Sequence, residues 1–313
     1  MKIPNFSVAP KDRPLSPLRR SLILAGLALP LMAFSIEALF APSSELWDRW
    51  EGHDASSTAT VDHSAWTAFL GRYIRADGDG LNRIDYEGVS DADLAALDAY
   101  INALEATPIS SLNRDEQFAY WVNLYNALTV KVIVDHLPVE SILDVDISPG
   151  LFANGPWDKK LVEIEGEDVS LNDIEHRILR PIWKDARVHY AVNCASIGCP
   201  NLQPMAFTAQ SNEALLDAGA RAYVNSPRGV QVTDNKLNTS SIYVWFKEDF
   251  GGNDAGVLQH LKAYAQPALA AQLADIKAIA SHSYDWGLNA AEEGVASSAA
   301  SYPSPQGGSK ARR

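Results

Sequence analysis

The chain has 313 residues and is 47% hydrophobic, with 8 Trp, 11 Tyr and 9 Phe, enough apolar mass for a substantial core. Its net charge of -13 argues against a nucleic-acid surface, which runs on clustered Lys and Arg. Two cysteines exclude a disulfide-dense scaffold and a four-cysteine zinc module, leaving one disulfide, one reactive thiol or two inert thiols.

Residues 1–20 carry Lys2, Lys11, Arg13, Arg19 and Arg20 against Asp12 and read as a basic cytoplasmic N-terminus. Residues 21–41 are mostly apolar and carry no charge apart from Glu37, the pattern of a signal anchor or a signal peptide. The membrane is therefore an expected partner through this segment. The domain is expected on the periplasmic side, inner-membrane anchored or secreted. Residues 42–60, rich in Ser, Asp and Glu, read as a linker, residues 61–290 as a single globular domain, and residues 291–313 as a disordered tail.

Within the domain, Trp66, Phe69, Leu70 and Tyr73 recur at helical spacing, and Leu94, Leu97, Tyr100, Ile101 and Leu104 mark a second helix. Asn113 with Glu116 caps a third, apolar almost all round over residues 117–134 and so expected to be buried on every face. Asn123 and Asn126 interrupt it. They either satisfy neighbouring backbone or line a pocket. Residues 161–164 read as a short strand, Ser170 with Asp173 as the cap of a helix ended by Pro181, and residues 187–193 as a strand. A helix over 212–224, a hairpin around Asp234-Asn235 and helices over 257–265 and 267–280 follow. The fold class is α+β, a helix-rich single domain with a small antiparallel sheet that includes 187–193.

The most chemically loaded stretch is 187–202, which holds both cysteines. As a strand it sets Val188, Tyr190 and Val192 on one face and His189, Ala191 and Asn193 on the other. Cys194 then continues the apolar face, away from His189, whereas the turn at Gly198 and Pro200 frees Cys199.

Three runs, FAYWVNLYNALTV (118–130), SLNDIEHRILR (170–180) and RVHYAVNCASIGCPNL (187–202), with looser matches at 84–86 and 284–289, resemble the bacterial and plant domain of unknown function 547. The resemblance implies no assigned activity. It puts weight on Asn123, Asn126, Glu175, His176, Arg187, His189, Cys194 and Cys199.

Three chemistries fit these residues. The leading expectation is a binding or structural module for a small polar ligand, a glycan or another envelope component. Its Cys194–Cys199 disulfide would fix the turn, and Asn123, Asn126, Arg187, Asn193 and Ser196 would line the site. The alternative is a cysteine-dependent hydrolase or acyl transferase, with Cys199 or Cys194 as nucleophile, His176 or His189 as base, and Glu175 or Asn193 orienting. The third is a zinc site on His176, His189, Cys194 and Cys199, although that spacing is not a usual zinc pattern. No metal, cofactor or nucleic acid is otherwise called for.

Overall fold

The computed structural model describes residues 42–76, 78–150 and 155–291. The chain divides into Met1–Ala41 and Pro42–Arg313, and every described residue falls in the second unit. The basic N-terminus, the apolar segment 21–41 and the tail 292–313 lie outside the described residues. The expectation of a membrane partner through residues 21–41 is withdrawn: among the described residues no helix is long and apolar enough to cross a membrane.

The fold is α+β. Helix α1 (Ser64–Tyr73) packs on α2 (Asp91–Glu105), and α2 packs on α3 (Arg114–Asp135), whose N-cap Asn113 accepts from the backbone N–H groups of Asp115 and Glu116. Helix α3 is buried without a break from Glu116 to Val130, as its all-round apolar sequence requires. Strands β1 (Ile74–Ala76) with β2 (Asn82–Ile84) and β3 (Val162–Ile164) with β4 (Glu167–Val169) are separate antiparallel hairpins. Strands β5 (Val230–Thr233), β6 (Lys236–Ser240) and β7 (Ile279–Ser283) form a mixed sheet, with β7 parallel to β6. This sheet, α5 (Asn212–Val224) and α6 (Asp254–Tyr264) enclose a second core around Tyr190, Tyr223, Tyr243 and Phe250.

Two expectations fail here for stated reasons. Residues 187–193 are not a strand. Asp185 caps a 3-10 helix over Ala186–Tyr190 by accepting from Arg187 N, and irregular backbone follows. Residues Val188 to Asn193 are all buried, so the alternation reflects burial all round rather than two faces. Strand parity therefore does not separate His189 from Cys194.

Pro181, expected to end a helix, lies inside one. A π-helix over Asp173–Leu179 runs into α4 (Arg180–Trp183). Proline has no N–H to close on His176 O five residues back or on Arg177 O four residues back. Both carbonyls instead accept from outside the helix, from Glu45 N and Trp47 N, each at 3.0 Å. Residues 42–60, read as a linker, thus lie against the domain. A 3-10 helix over Asp48–Glu51 buries Trp50, whose ring meets Trp121 edge-on at 5.1 Å.

Candidate functional site

The two buried amides of α3 act on backbone. Asn126 donates to Ala191 O (2.9 Å) and accepts from Asn193 N (2.8 Å), the pair of bonds a neighbouring strand would supply. Asn123 does the same for Phe207 O (2.8 Å) and Phe207 N (3.0 Å). Asn193 donates to Pro200 O and accepts from Ala195 N and Asn289 Nδ2. These amides hold residues 191–200 in an irregular path, including Ala195 at φ 58°. Arg187 reaches outward instead, to Asp185, Glu213 and Asp217.

That path brings the thiols together. Cys194 is half-buried and Cys199 buried; their sulfurs share a 3.1 Å hydrogen bond as free thiols, where the expectation was a disulfide. The Cys194 sulfur also contacts Tyr284 Oη at 3.0 Å and Ser196 Oγ at 3.2 Å. Backbone N–H of Cys194 points at the Cys199 sulfur, also at 3.1 Å. The surrounding turn is tied down by hydrogen bonds: Tyr223 Oη donates to Gly198 O, Arg228 donates to Ile197 O and Cys199 O, and Ile197 N and Gly198 N donate to Gly287 O and Asp285 O. Gly198 admits no side chain without a backbone shift, since a Cβ there would lie 2.8 Å from Asp285 N and 2.9 Å from Asp285 O.

The two sulfurs are electrostatically unlike. Hydrogen bonding to Cys199, with further bonds from Ser196 and Tyr284, outweighs burial and lowers the Cys194 pKa. Burial, followed by the hydrogen bond and charge of Cys194, drives Cys199 well above the ordinary thiol range. With Cys194 ionised, the Cys199 S–H is the donor between them. The better thiolate is therefore Cys194, the less buried residue of the two, and not the Cys199 favoured by strand parity.

The histidines form a separate buried network. His189 Nε2 meets Asp249 Oδ2 at 2.7 Å, and its Nδ1 faces Glu175 Oε1 at 3.5 Å. Burial opposes its charge, but the bonds to Asp249 and Glu175 prevail and raise its pKa. Arg180, with 1% of its side chain exposed, donates to Asp249, Glu248 and His176 Nδ1. Burial lowers His176 to about 4, so it is neutral at pH 7. Burial also opposes ionisation of Glu175, yet His176, His189 and Arg180 together hold it at about 2; with His176 uncharged, the latter two carry that effect at neutral pH. Phe246 stacks on His189 at 4.4 Å and 12°. Both His189 nitrogens thus serve carboxylates, and His176 Nδ1 serves Arg180. Neither imidazole is arranged as the base of a cysteine dyad. Among the described residues no group of three or more His, Cys, Asp or Glu is placed to hold a metal ion, so the four N/S candidates do not converge as a zinc site.

Tyr284, Arg180 and Asp249 carried no role in the sequence reading. The Tyr-Asp-Trp run at 284–286 was a usable signal; Asp249 lies 60 residues from His189 with nothing in the sequence to pair them.

The family model described as "Protein of unknown function, DUF547" matches residues 109–224. That span contains α3, the π-helix and both cysteines, and leaves out Asp249 and Tyr284. Comparisons with curated proteins and with solved structures return no match.

Proposed function

Starting from a chain whose residues 109–224 carry the DUF547 signature, we propose that the domain is a dithiol redox centre working by thiol–disulfide exchange. One observation carries the reading: two free sulfurs 3.1 Å apart, one on a partly exposed residue and with a lowered pKa, the other on a buried residue and with a raised pKa. This is the asymmetry of an attacking and a resolving thiol.

The Cys194 thiolate attacks one sulfur of a disulfide substrate. The Cys194–substrate S–S bond forms, the substrate S–S bond breaks, and the first thiolate leaves. That thiolate takes the Cys199 proton, and the Cys199 thiolate attacks Cys194. The Cys194–Cys199 bond forms and the second substrate thiolate leaves, to be protonated by water. The domain is oxidised by two electrons and the substrate disulfide becomes two thiols. Ser196 and Tyr284 hold the starting thiolate by hydrogen bonds. The basic-then-apolar order of residues 1–36 supports placing this chemistry outside the cytoplasm, where disulfides persist.

The binding-module expectation loses support because Asn123, Asn126 and Asn193 spend their polar atoms on backbone and Arg187 on carboxylates. Histidine-assisted hydrolysis loses it because the ring nitrogens are engaged. The test is trapping. Cys199→Ser treated with hydroxyethyl disulfide should accumulate a stable mixed disulfide at Cys194, while the unaltered protein passes through it to the internal bond. Equal capture at Cys199 in Cys194→Ser would refute the assignment of the attacking sulfur.

A further inference from the structure

We infer that the groove along Asp173–Trp183 is a binding site for an extended peptide, held in cis by residues 42–47 of this chain. The cause lies in the sequence. Pro181, inside the helix, has no N–H to give either His176 O or Arg177 O. Glu45 N and Trp47 N take these two carbonyls, with the two-residue spacing of an extended strand. Before them, Ser44 N donates to Glu248 at 3.3 Å and Pro42 O accepts from Arg180 at 2.8 Å.

Every one of these bonds uses peptide main chain on the 42–47 side, so the groove reads an extended backbone rather than a particular sequence, as in strand-addition recognition. One pocket adds a side-chain preference. Trp47 is overlain by the Arg177 guanidinium at 4.5 Å and by Lys160 Nζ at 5.9 Å, a cationic setting suited to an aromatic ring. The ligand class is therefore an extended peptide with an aromatic residue two positions after a residue that pairs with His176 O.

The resident segment is weakly held. Pro42, Ser43, Glu45 and Leu46 are exposed, so little apolar area secures it beyond the Trp47 ring. Beside it lies a cleft of about 590 Å³ lined by Ser44, Leu46, Arg114, Arg180, Ile182 and Glu248, which gives a competing peptide's side chains room. This site is independent of the dithiol assignment.

The test uses the full chain with Glu45→Pro and Trp47→Pro, which removes both donor amides from the resident segment. A dye-labelled synthetic peptide spanning residues 42–50 is titrated by fluorescence anisotropy. It should bind the variant at least about tenfold more tightly than the unaltered chain, since each tenfold corresponds to one displaced competitor contact of about 1.4 kcal/mol. The same peptide N-methylated at Glu45 and Trp47 should lose at least as much. Trp47→Ala keeps the amides but removes the ring, should bind the peptide at intermediate affinity, and decides the matter if the double variant does not melt cooperatively. Absence of peptide binding to the variants, or equal binding of the methylated peptide, would overturn the inference.

Discussion

Replacing Asn126 by Asp tests the backbone role of the α3 amides most sharply. Asn126 is 2% exposed and bonds both Ala191 O and Asn193 N. Aspartate keeps an acceptor for Asn193 N but has no N–H for Ala191 O, and it brings a charge into an apolar setting. One lost donor costs about 1–3 kcal/mol, and burial of the carboxylate adds to it, for an expected loss of about 2–4 kcal/mol at pH 7. For a domain of this size that is a drop in Tm of about 5–15 °C. The pH dependence is diagnostic. Burial raises the folded-state pKa of the new carboxyl above its unfolded value of about 3.9, so the destabilisation is absent below that pH and grows above it, by up to about 1.4 kcal/mol per unit. Protonated, the acid also recovers a donor for Ala191 O. Thermal melts of the variant and the parent at matched pH values between 4 and 8 make the measurement. A loss under about 0.5 kcal/mol at pH 7, or one that does not shrink toward pH 4, would refute the reasoning.

Three further outcomes are expected. Cys199→Ser should slow alkylation of Cys194 at pH 7, because a serine hydroxyl at the longer reach of a sulfur holds the thiolate less well; the pH profile of iodoacetamide labelling reads the rise in pKa. His189→Gln should remove a stabilising contribution that is full below pH 6.5 and lost as pH rises through the raised folded-state pKa, so urea melts of variant and parent should converge at alkaline pH. Gly198→Ala should cost about 1–3 kcal/mol by pressing its Cβ on Asp285 backbone, and should move Tyr284 off Cys194, seen as slower thiol labelling; an unchanged labelling rate would show that the Tyr284 contact does not govern the thiolate.

Much of the helical scaffold was legible in the sequence because its signals are local. The capped, all-round apolar run of α3, the spacing of Trp66, Phe69 and Tyr73, and the turn at Asp234-Asn235 each need only neighbouring residues. The site was legible as a stretch and not as a geometry. Val188 and Tyr190 alternate as they would in a strand, but Asp185 caps a 3-10 turn and Asn126 supplies the bonds that a partner strand would have made. That substitution of a side chain for a strand is invisible from residue spacing. Pro181 was read as a stop because an α-helix loses a bond there; a strap 134 to 136 residues earlier in the chain, Trp47 and Glu45, supplies the missing donors. The pairing of His189 with Asp249 and of Cys194 with Tyr284 likewise spans 60 and 90 residues.

The most direct test of the dithiol assignment is a redox titration. The purified chain is equilibrated in graded ratios of oxidised to reduced dithiothreitol, quenched with an alkylating reagent under denaturing conditions, and weighed. The expected result is a single two-electron transition in which both labels are lost together, with no stable singly labelled species. Two labels at every ratio, or one label lost without the other, would contradict a Cys194–Cys199 redox centre.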